Sequence, residues 1–282
     1  MGLIQNLKST GFNFKKSLGQ NFIVDQGYLE SVVSQLGLTP QDIVVEVGTG
    51  AGTLTRVIAR QVAKVITIEI DKSLENILKE QFSGLTNIQL VFDDVMKIKS
   101  LEQLAGGKEF KLVANVPYYI TTPILLKFIR DQNCADIAVL VQEELARRIV
   151  AKPGGKDYGA LSITMQAYAN CKIVKRVSRN MFTPTPNVDS AFVQATKIQG
   201  SEQTCFDALS ELVKGLFSAR RKTVLNGLSS LYGISKDRAG EILAEAGIDV
   251  NIRPEQVSVA QYLNLVSKLA GPLGIQRNPL KR

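Results

Sequence analysis

The sequence predicts an α/β protein: a doubly wound parallel sheet followed by a smaller all-helical C-terminal domain. Three observations predict it. Between 43 and 141, short β-branched runs alternate with stretches of helical apolar spacing. A glycine-rich loop follows the first of these runs directly, and an acidic residue stands near the end of the second. After about Gly200 the alternation stops and only helical periodicity remains. Alternating strands and helices argue for parallel strands joined by right-handed crossovers. Such a sheet carries helices on both faces and binds ligands at the C-terminal ends of its strands.

Taken in order, the segment to about Gln20 is basic and aromatic, with Lys8, Phe12, Phe14, Lys15 and Lys16, and reads as a flexible arm leading into a helix over 25–36. Residues 43–47 form the first strand, and 53–63 a helix. A second strand over 65–70 and a helix over 73–82 come next. Strands are expected over 88–92, 110–114 and 137–141, with a helix over 124–130 between the last two. Beyond the polar loop at Lys152–Lys156 come an amphipathic stretch over 160–168 and two strands, near 171–176 and 188–196. Helical spacing over 206–217, 222–232, 236–246 and 259–270 then has no strands between. The chain therefore divides into a sheet domain with its basic arm, 1–199, and a helical domain, 200–282.

Composition narrows the chemistry. A chain of 282 residues, 45% hydrophobic, can bury a substantial core without covalent staples. Cys134, Cys171 and Cys205 are scattered without paired spacing, so disulfides are not expected. There is no histidine, which excludes zinc sites of the usual Cys/His kind and any mechanism needing an imidazole base. The N-terminus lacks an apolar signal core, and no apolar run approaches the length of a bilayer span, so a cytoplasmic setting is expected. A net charge of +8 favours polyanionic partners, nucleic acid or anionic membrane, although charge alone fits any basic protein equally well.

A first candidate site centres on Gly48-Thr49-Gly50-Ala51-Gly52, between the first strand and its helix. Glycine permits the tight turn and lets the backbone approach a ligand. Glu69 lies about 20 residues further on, where a carboxylate can hold a ribose diol; read alone it could be an ordinary strand-end acid. The G-x-G-x-G spacing departs from the dinucleotide fingerprint. Asp93 and Asp94 end the third strand, and a carboxylate there could accept from an adenine amine, though turn formation or helix capping would equally explain Asp94. The fourth strand runs into Asn115. Polar groups at the ends of strands one to four suit S-adenosylmethionine and would suit NAD less well.

The tetrapeptide Asn115-Val116-Pro117-Tyr118 is the most informative in the chain. Adenine N6 is a poor nucleophile because its lone pair is delocalised into the ring. Two acceptors aimed at its N–H hydrogens would favour release of that lone pair to an arriving methyl group. The Asn115 side-chain oxygen and the Pro117 carbonyl are suited to that, and proline stiffens the loop that carries them. Tyr118 offers a flat face for an extruded base. Phe182, in Phe182-Thr183-Pro184-Thr185-Pro186, is the candidate for the other face; otherwise it is a core residue.

With these residues the chain resembles the ribosomal RNA adenine dimethyltransferases, most closely the bacterial small-subunit (16S) type. The matching segments include Lys16–Phe22, Glu46–Thr55, Asn115–Ile120, Gln142–Glu144, Asp157–Ser162, Phe182–Ala191 and Arg220–Thr223, and they span nearly the whole chain. The resemblance implies a Rossmann-like S-adenosylmethionine-dependent methyltransferase sheet. It also implies transfer of two methyl groups to N6 of each of two adjacent adenines near the 3′ end of small-subunit RNA. It carries cofactor binding onto Asn21, Ile23, Gly48, Glu69, Asp94 and Asn115, and the adenine site onto Asn115, Val116, Pro117 and Tyr118, with Phe182 as the second stacking ring. Asn21 and Ile23 would close over the cofactor. One departure is Thr49, where many relatives have proline, and it should loosen the turn slightly.

The implied partner is 16S RNA within an assembling small subunit, with no metal and no membrane. Lys15 and Lys16 would lie near RNA phosphates, and Arg147, Arg148, Arg220, Arg221 and Lys222 are further candidates for phosphate contact, although charge runs are usually solvated surface. A monomer is expected, since no coiled-coil seam is evident. Three other readings share these features: a large-subunit (23S) methyltransferase of the macrolide-resistance type, a mainly non-enzymatic assembly factor, and a DNA adenine methyltransferase. The segments around Leu18, Tyr158 and Arg220 favour the small-subunit type.

Overall fold

A computed structural model describes residues 21–23, 25–200, 205–219 and 222–270. The arm through Gln20, with Lys15 and Lys16, lies outside them, as do Arg220 and Arg221. Among the described residues no helix is long and apolar enough to cross a membrane.

The chain forms two compact units. One is built from the described parts of 1–146 and 171–197, the other from those of 147–170 and 198–282. A single division near 200 thus misplaces 147–170. The helix Ala160–Gln166 buries its apolar face among the C-terminal helices, and beyond it the Tyr168 ring packs 5.3 Å from that of Phe206. Periodicity in the sequence shows that such a face exists but not which neighbour covers it.

In the first unit the strands are β1 (Phe22–Ile23), β2 (Ile43–Val47), β3 (Lys64–Glu69), β4 (Ile88–Phe92), β5 (Phe110–Asn115), β6 (Cys134–Gln142), β7 (Ala169–Val177), β8 (Phe182–Thr183) and β9 (Ser190–Lys197). The main sheet has the order β4-β3-β2-β5-β6-β9-β7, and β1 pairs antiparallel with β8 outside it. Strands β2 to β6 run parallel. β9 runs antiparallel to β6, with Gln142 opposite Ser190, so the sheet is mixed rather than wholly parallel. β9 lies between β6 and β7, at the end of the sheet away from β4. β2 is buried on both faces, as its unbroken Ile-Val-Val run requires of a central parallel strand.

Helices α1 (Gln26–Val33), α2 (Thr53–Ala59), α3 (Glu75–Gln81), α4 (Leu101–Leu104) and α5 (Thr121–Arg130) connect these strands. Asp25 caps α1 by accepting from the Tyr28 N–H at 2.9 Å. Leu29, Val32 and Val33 of α1 join Val57 and Ile58 of α2, Val44 and Val65 in one buried core. β2 has its sequence successor β3 on one side and β5 on the other. The direction of winding therefore reverses between β2 and β5, and a crevice opens at their C-terminal ends.

A further helix, α6 (Glu143–Val150), leads from β6 toward the second unit. That unit contains α7 (Ala160–Gln166), α8 (Phe206–Ser218), α9 (Val224–Tyr232), α10 (Lys236–Glu245) and α11 (Val259–Ala270). α9 begins at Val224 rather than at 222 because Thr223 is its cap, its Oγ1 accepting from the Asn226 N–H. Buried phenols tie the chain between α10 and α11: Tyr262 donates to the Pro254 carbonyl at 2.9 Å and Tyr158 to the Val257 carbonyl at 3.0 Å. Each phenol thereby finds an acceptor for its own buried hydroxyl.

Candidate active site

The crevice between β2 and β5 is a cavity built wholly within the first unit. It is lined by Asn21 and, from β1, Phe22 and Ile23, by Gly48 to Gly50 from the loop after β2, and by Glu69 and Ile70 at the end of β3. Asp93 and Asp94 after β4, and Asn115 to Ile120 from the end of β5 onward, also line it. Both candidate sites read from the sequence thus open into one space. The backbones of the glycine loop and of Asn115 approach closely: a Cβ on Gly48 would stand 3.4 Å from the Asn115 carbonyl oxygen.

The glycine loop is held from beneath. Gly48, Gly50 and Gly52 all have positive φ, and the Gly52 N–H donates to the Thr49 carbonyl at 2.8 Å, closing the turn. Thr49 does not loosen this turn. Its hydroxyl is buried 2.6 Å from Thr67 Oγ1; Thr67 in turn donates to Glu46 Oε2 at 2.6 Å, so Thr49 must donate to Thr67. A hydrogen bond to the sheet supplies the fixity that proline supplies through its ring.

Glu69 is 5% exposed, its Oε2 accepting from the Gly50 N–H at 2.9 Å and its Oε1 from the Asp71 N–H at 2.8 Å. Burial raises its pKa, and the backbone donors partly offset that. Each oxygen keeps a second lone pair that a ribose hydroxyl could use. Asp94 shapes the turn after β4, as a purely structural role would have it: Oδ1 accepts from the Met96 N–H at 2.9 Å, while Oδ2 is 4.0 Å from Lys97 Nζ. The same residue lines the cavity. Ile23 is 2% exposed, and its carbonyl accepts from Thr53 Oγ1 at 3.2 Å, which ties the chain leaving the arm to the start of α2.

Asn115 donates its amide to the Asn21 carbonyl at 3.0 Å, which fixes the amide and leaves Oδ1 as an acceptor. The Pro117 carbonyl is already engaged, accepting from the Ile120 N–H and from Thr121 Oγ1, each at 3.1 Å. Tyr118 begins a single 3₁₀ turn, Tyr118–Ile120, half-buried at the cavity wall, its hydroxyl 2.7 Å from Ser190 Oγ. Burial raises the Tyr118 phenol pKa, with Ser190 acting in the opposite sense.

Phe182 departs from expectation. It does not line the cavity; it is 3% exposed in the core that holds Ile23, Leu29 and Val33, directly opposite Ile23 in the β1–β8 pair. Full burial of a phenyl ring is worth roughly 2–3 kcal/mol, and the strand pairing turns the ring toward that core rather than toward the ligand space. The expected second stacking ring thus packs beside the cavity's β1 wall rather than in its lining.

Of the basic candidates, Arg147 and Arg148 are exposed on α6, with Arg147 Nε 3.8 Å from Asp157 Oδ2, and Lys222 is exposed just before α9. All three belong to the second unit, not the one that holds the cavity. Lys15, Lys16, Arg220 and Arg221 lie outside the described residues.

Several residues at the site carried no role in the sequence reading. Phe22 packs against the glycine loop, Ser190 meets Tyr118, and the buried Glu46–Thr55–Thr67 cluster lies under the loop. Ile70 and Tyr119 line the cavity while 54% and 66% exposed. The sequence signal for Ile70 and Tyr119 was their adjacency to Glu69 and Tyr118.

The chain is similar to known proteins in sequence and in fold. The family model for ribosomal RNA adenine dimethylase matches residues 11–271. The ribosomal RNA small subunit methyltransferase A of Clostridioides difficile is 44% identical over 261 residues, 89% of each chain. That of Alkaliphilus metalliredigens is 40% identical over 269 residues, covering 92% of this chain and 93% of its own. Among solved structures, a dimethyladenosine transferase from Plasmodium falciparum aligns with a TM-score of 0.75 at 26% identity, covering 87% of this chain and 96% of the other. The 23S rRNA methyltransferase ErmE aligns with a TM-score of 0.69 at 25% identity, covering 88% and 99%.

Proposed function

The chain belongs to the ribosomal RNA adenine dimethylase family, and from that premise we propose that it dimethylates N6 of two adjacent adenines near the 3′ end of small-subunit ribosomal RNA during subunit assembly. The observation that carries the reading is the single cavity shared by Gly48, Glu69 and Asp94 on one side and Asn115, Pro117 and Tyr118 on the other. S-adenosylmethionine fits the first group: a nearly buried carboxylate faces a glycine cradle, with a second carboxylate one strand away. Glu69 would hold the ribose diol and Asp94 the adenine amine. The backbone at Gly48 would lie against the methionine portion, with Asn21 and Ile23 closing the near side. When bound, that cofactor supplies an electrophilic methyl group on sulfur.

The chain's own residues do the rest. Asn115 Oδ1 accepts from an N6–H of the extruded adenine, favouring a pyramidal N6 whose lone pair is withdrawn from the ring, and the proton that N6 loses on methylation passes to solvent. The Pro117 carbonyl is the second acceptor. Of its two donors, the Ile120 N–H is fixed in the turn, while the Thr121 hydroxyl can rotate away. Tyr118 supports the base by stacking. No imidazole is required, in keeping with a chain that has none. The helical unit, with Arg147, Arg148 and Lys222 on its surface, provides contacts to RNA phosphates.

The test is mass spectrometry of nucleosides after reaction with S-adenosylmethionine and undermethylated ribosomal subunits, with primer extension to map the sites. Dimethyladenosine at adjacent adenines in the small subunit is expected. Modification confined to the large subunit, or no modified adenosine, would overturn the reading.

A further inference from the structure

Tyr118 sits on a single 3₁₀ turn rather than on a helix or strand, and its ring must nevertheless present one face to the base. Its hydroxyl is held by the antiparallel part of the sheet. Ser190 has no exposed surface, and its Oγ lies 2.7 Å from the Tyr118 hydroxyl. Ser190 is itself immobilised: it opens β9 opposite Gln142 of β6, and the preceding Asp189 accepts from the Glu143 N–H at 3.0 Å and, through Oδ1, from the Arg179 N–H at 2.8 Å. The loop from Phe182 to Asp189 places no aromatic ring at the cavity, because Phe182 is turned into the core. Immediately beyond that loop, Ser190 sets a rigidly held hydroxyl at the tip of the Tyr118 ring.

We propose that Ser190 is a positioning residue for methyl transfer: its hydroxyl tethers the Tyr118 phenol so that the ring is fixed as the platform for the target adenine. The tether acts before substrate arrives. A tyrosine free to change rotamer on so short a turn would have to be ordered at the moment the base enters, and that cost would fall on the reaction. Anchoring the phenol to a sheet strand removes it. Ser190 touches neither substrate nor cofactor; it works through Tyr118. The proposal rests on the assignment of Tyr118 to the base site.

The test compares Ser190→Ala, Tyr118→Phe and the double variant with the unaltered enzyme, measuring kcat and KM on undermethylated small subunits. Affinity for S-adenosylhomocysteine by calorimetry and Tm serve as controls. Each single variant deletes the same hydrogen bond, so each is expected to lower kcat roughly ten-fold with little change in KM or cofactor affinity, and the double variant is expected to lose no more than either single one. A merely structural serine would move Tm but leave kcat, and two independent roles would multiply toward a hundred-fold loss; either result overturns the proposal. If Ser190→Ala does not fold, Tyr118→Phe decides alone, since it removes the bond from the partly exposed side, and unchanged kcat then refutes the tether. An unaltered enzyme that forms no dimethyladenosine would refute the functional reading itself, and the role of Ser190 with it.

Discussion

Glu46 carries a carboxyl with no exposed surface on the strand that leads into the glycine loop. Burial pushes its pKa up to about 8, against the lowering effect of the Thr55 and Thr67 hydroxyls that donate to Oε2 at 2.6 Å. Its other oxygen has no partner among the described residues. The folded protein therefore keeps a proton that the unfolded chain releases near the ordinary value of 4.5. A raised folded pKa means that the associated stability is fully present below that ordinary value and is lost as pH climbs toward about 8. Glu46→Gln keeps the shape and removes the titration. The stability difference between the natural chain and this variant should thus shift against the natural chain as pH rises from about 5 to about 8, by up to roughly 1.4 kcal/mol for each pH unit. Urea unfolding of both proteins across that range measures it. A difference independent of pH would mean that Glu46 does not change its protonation on unfolding.

At the scale of the element, the loop from Gly48 to Gly52 works because three of its residues occupy left-handed backbone, two of them in a space too tight for a side chain. At Gly50, φ is +54° and an added Cβ would fall 2.2 Å from a Phe22 ring carbon; at Gly52, φ is +74° and the Cβ would fall 2.7 Å from Phe82. Gly50→Ala should therefore displace both the loop and Phe22, which line the cofactor side of the cavity. We expect at least a ten-fold weaker affinity for S-adenosylhomocysteine by calorimetric titration and a stability loss of roughly 1–3 kcal/mol. Unchanged affinity would remove the loop from the cofactor site. Elements of this kind were legible in the sequence, because a β-branched run, glycines and a helix in direct succession allow few other structures. The five parallel strands were legible for the same reason. β9 was legible as a strand but not as antiparallel, since alternation records a strand's faces and not its neighbour. The place of Phe182 was not legible either: its two-residue pairing with β1, which no pattern announces, sets the ring in the core beside Ile23. Ser190 stood in plain view in that segment, yet its contact with Tyr118 spans 72 positions and exists only once β9 lies beside β6.

For the whole molecule the governing quantity is charge. A net charge of +8 on 282 residues faces a polyanion in the proposed reaction, and the cavity belongs to one compact unit while Arg147, Arg148 and Lys222 belong to the other. If arginines on the helical unit contact phosphate, they contribute affinity through displaced counterions and contribute nothing to the methyl-transfer step. Each phosphate contact adds roughly 0.7–0.9 to the slope of log affinity against log salt. Replacing Arg147 and Arg148 together by alanine should weaken binding to small subunits and flatten that slope by roughly 1–2, while kcat at saturating subunit stays near its natural value. Glu69→Ala should do the reverse, abolishing methyl transfer while leaving subunit affinity and salt slope intact, because its carboxylate lines the cavity and lies in the other unit. Subunit binding measured at several salt concentrations, paired with single-turnover methylation, separates the two effects. An arginine variant with an unchanged slope would show that these exposed cations are ordinary solvated surface, and the phosphate contacts would then have to come from elsewhere in the chain.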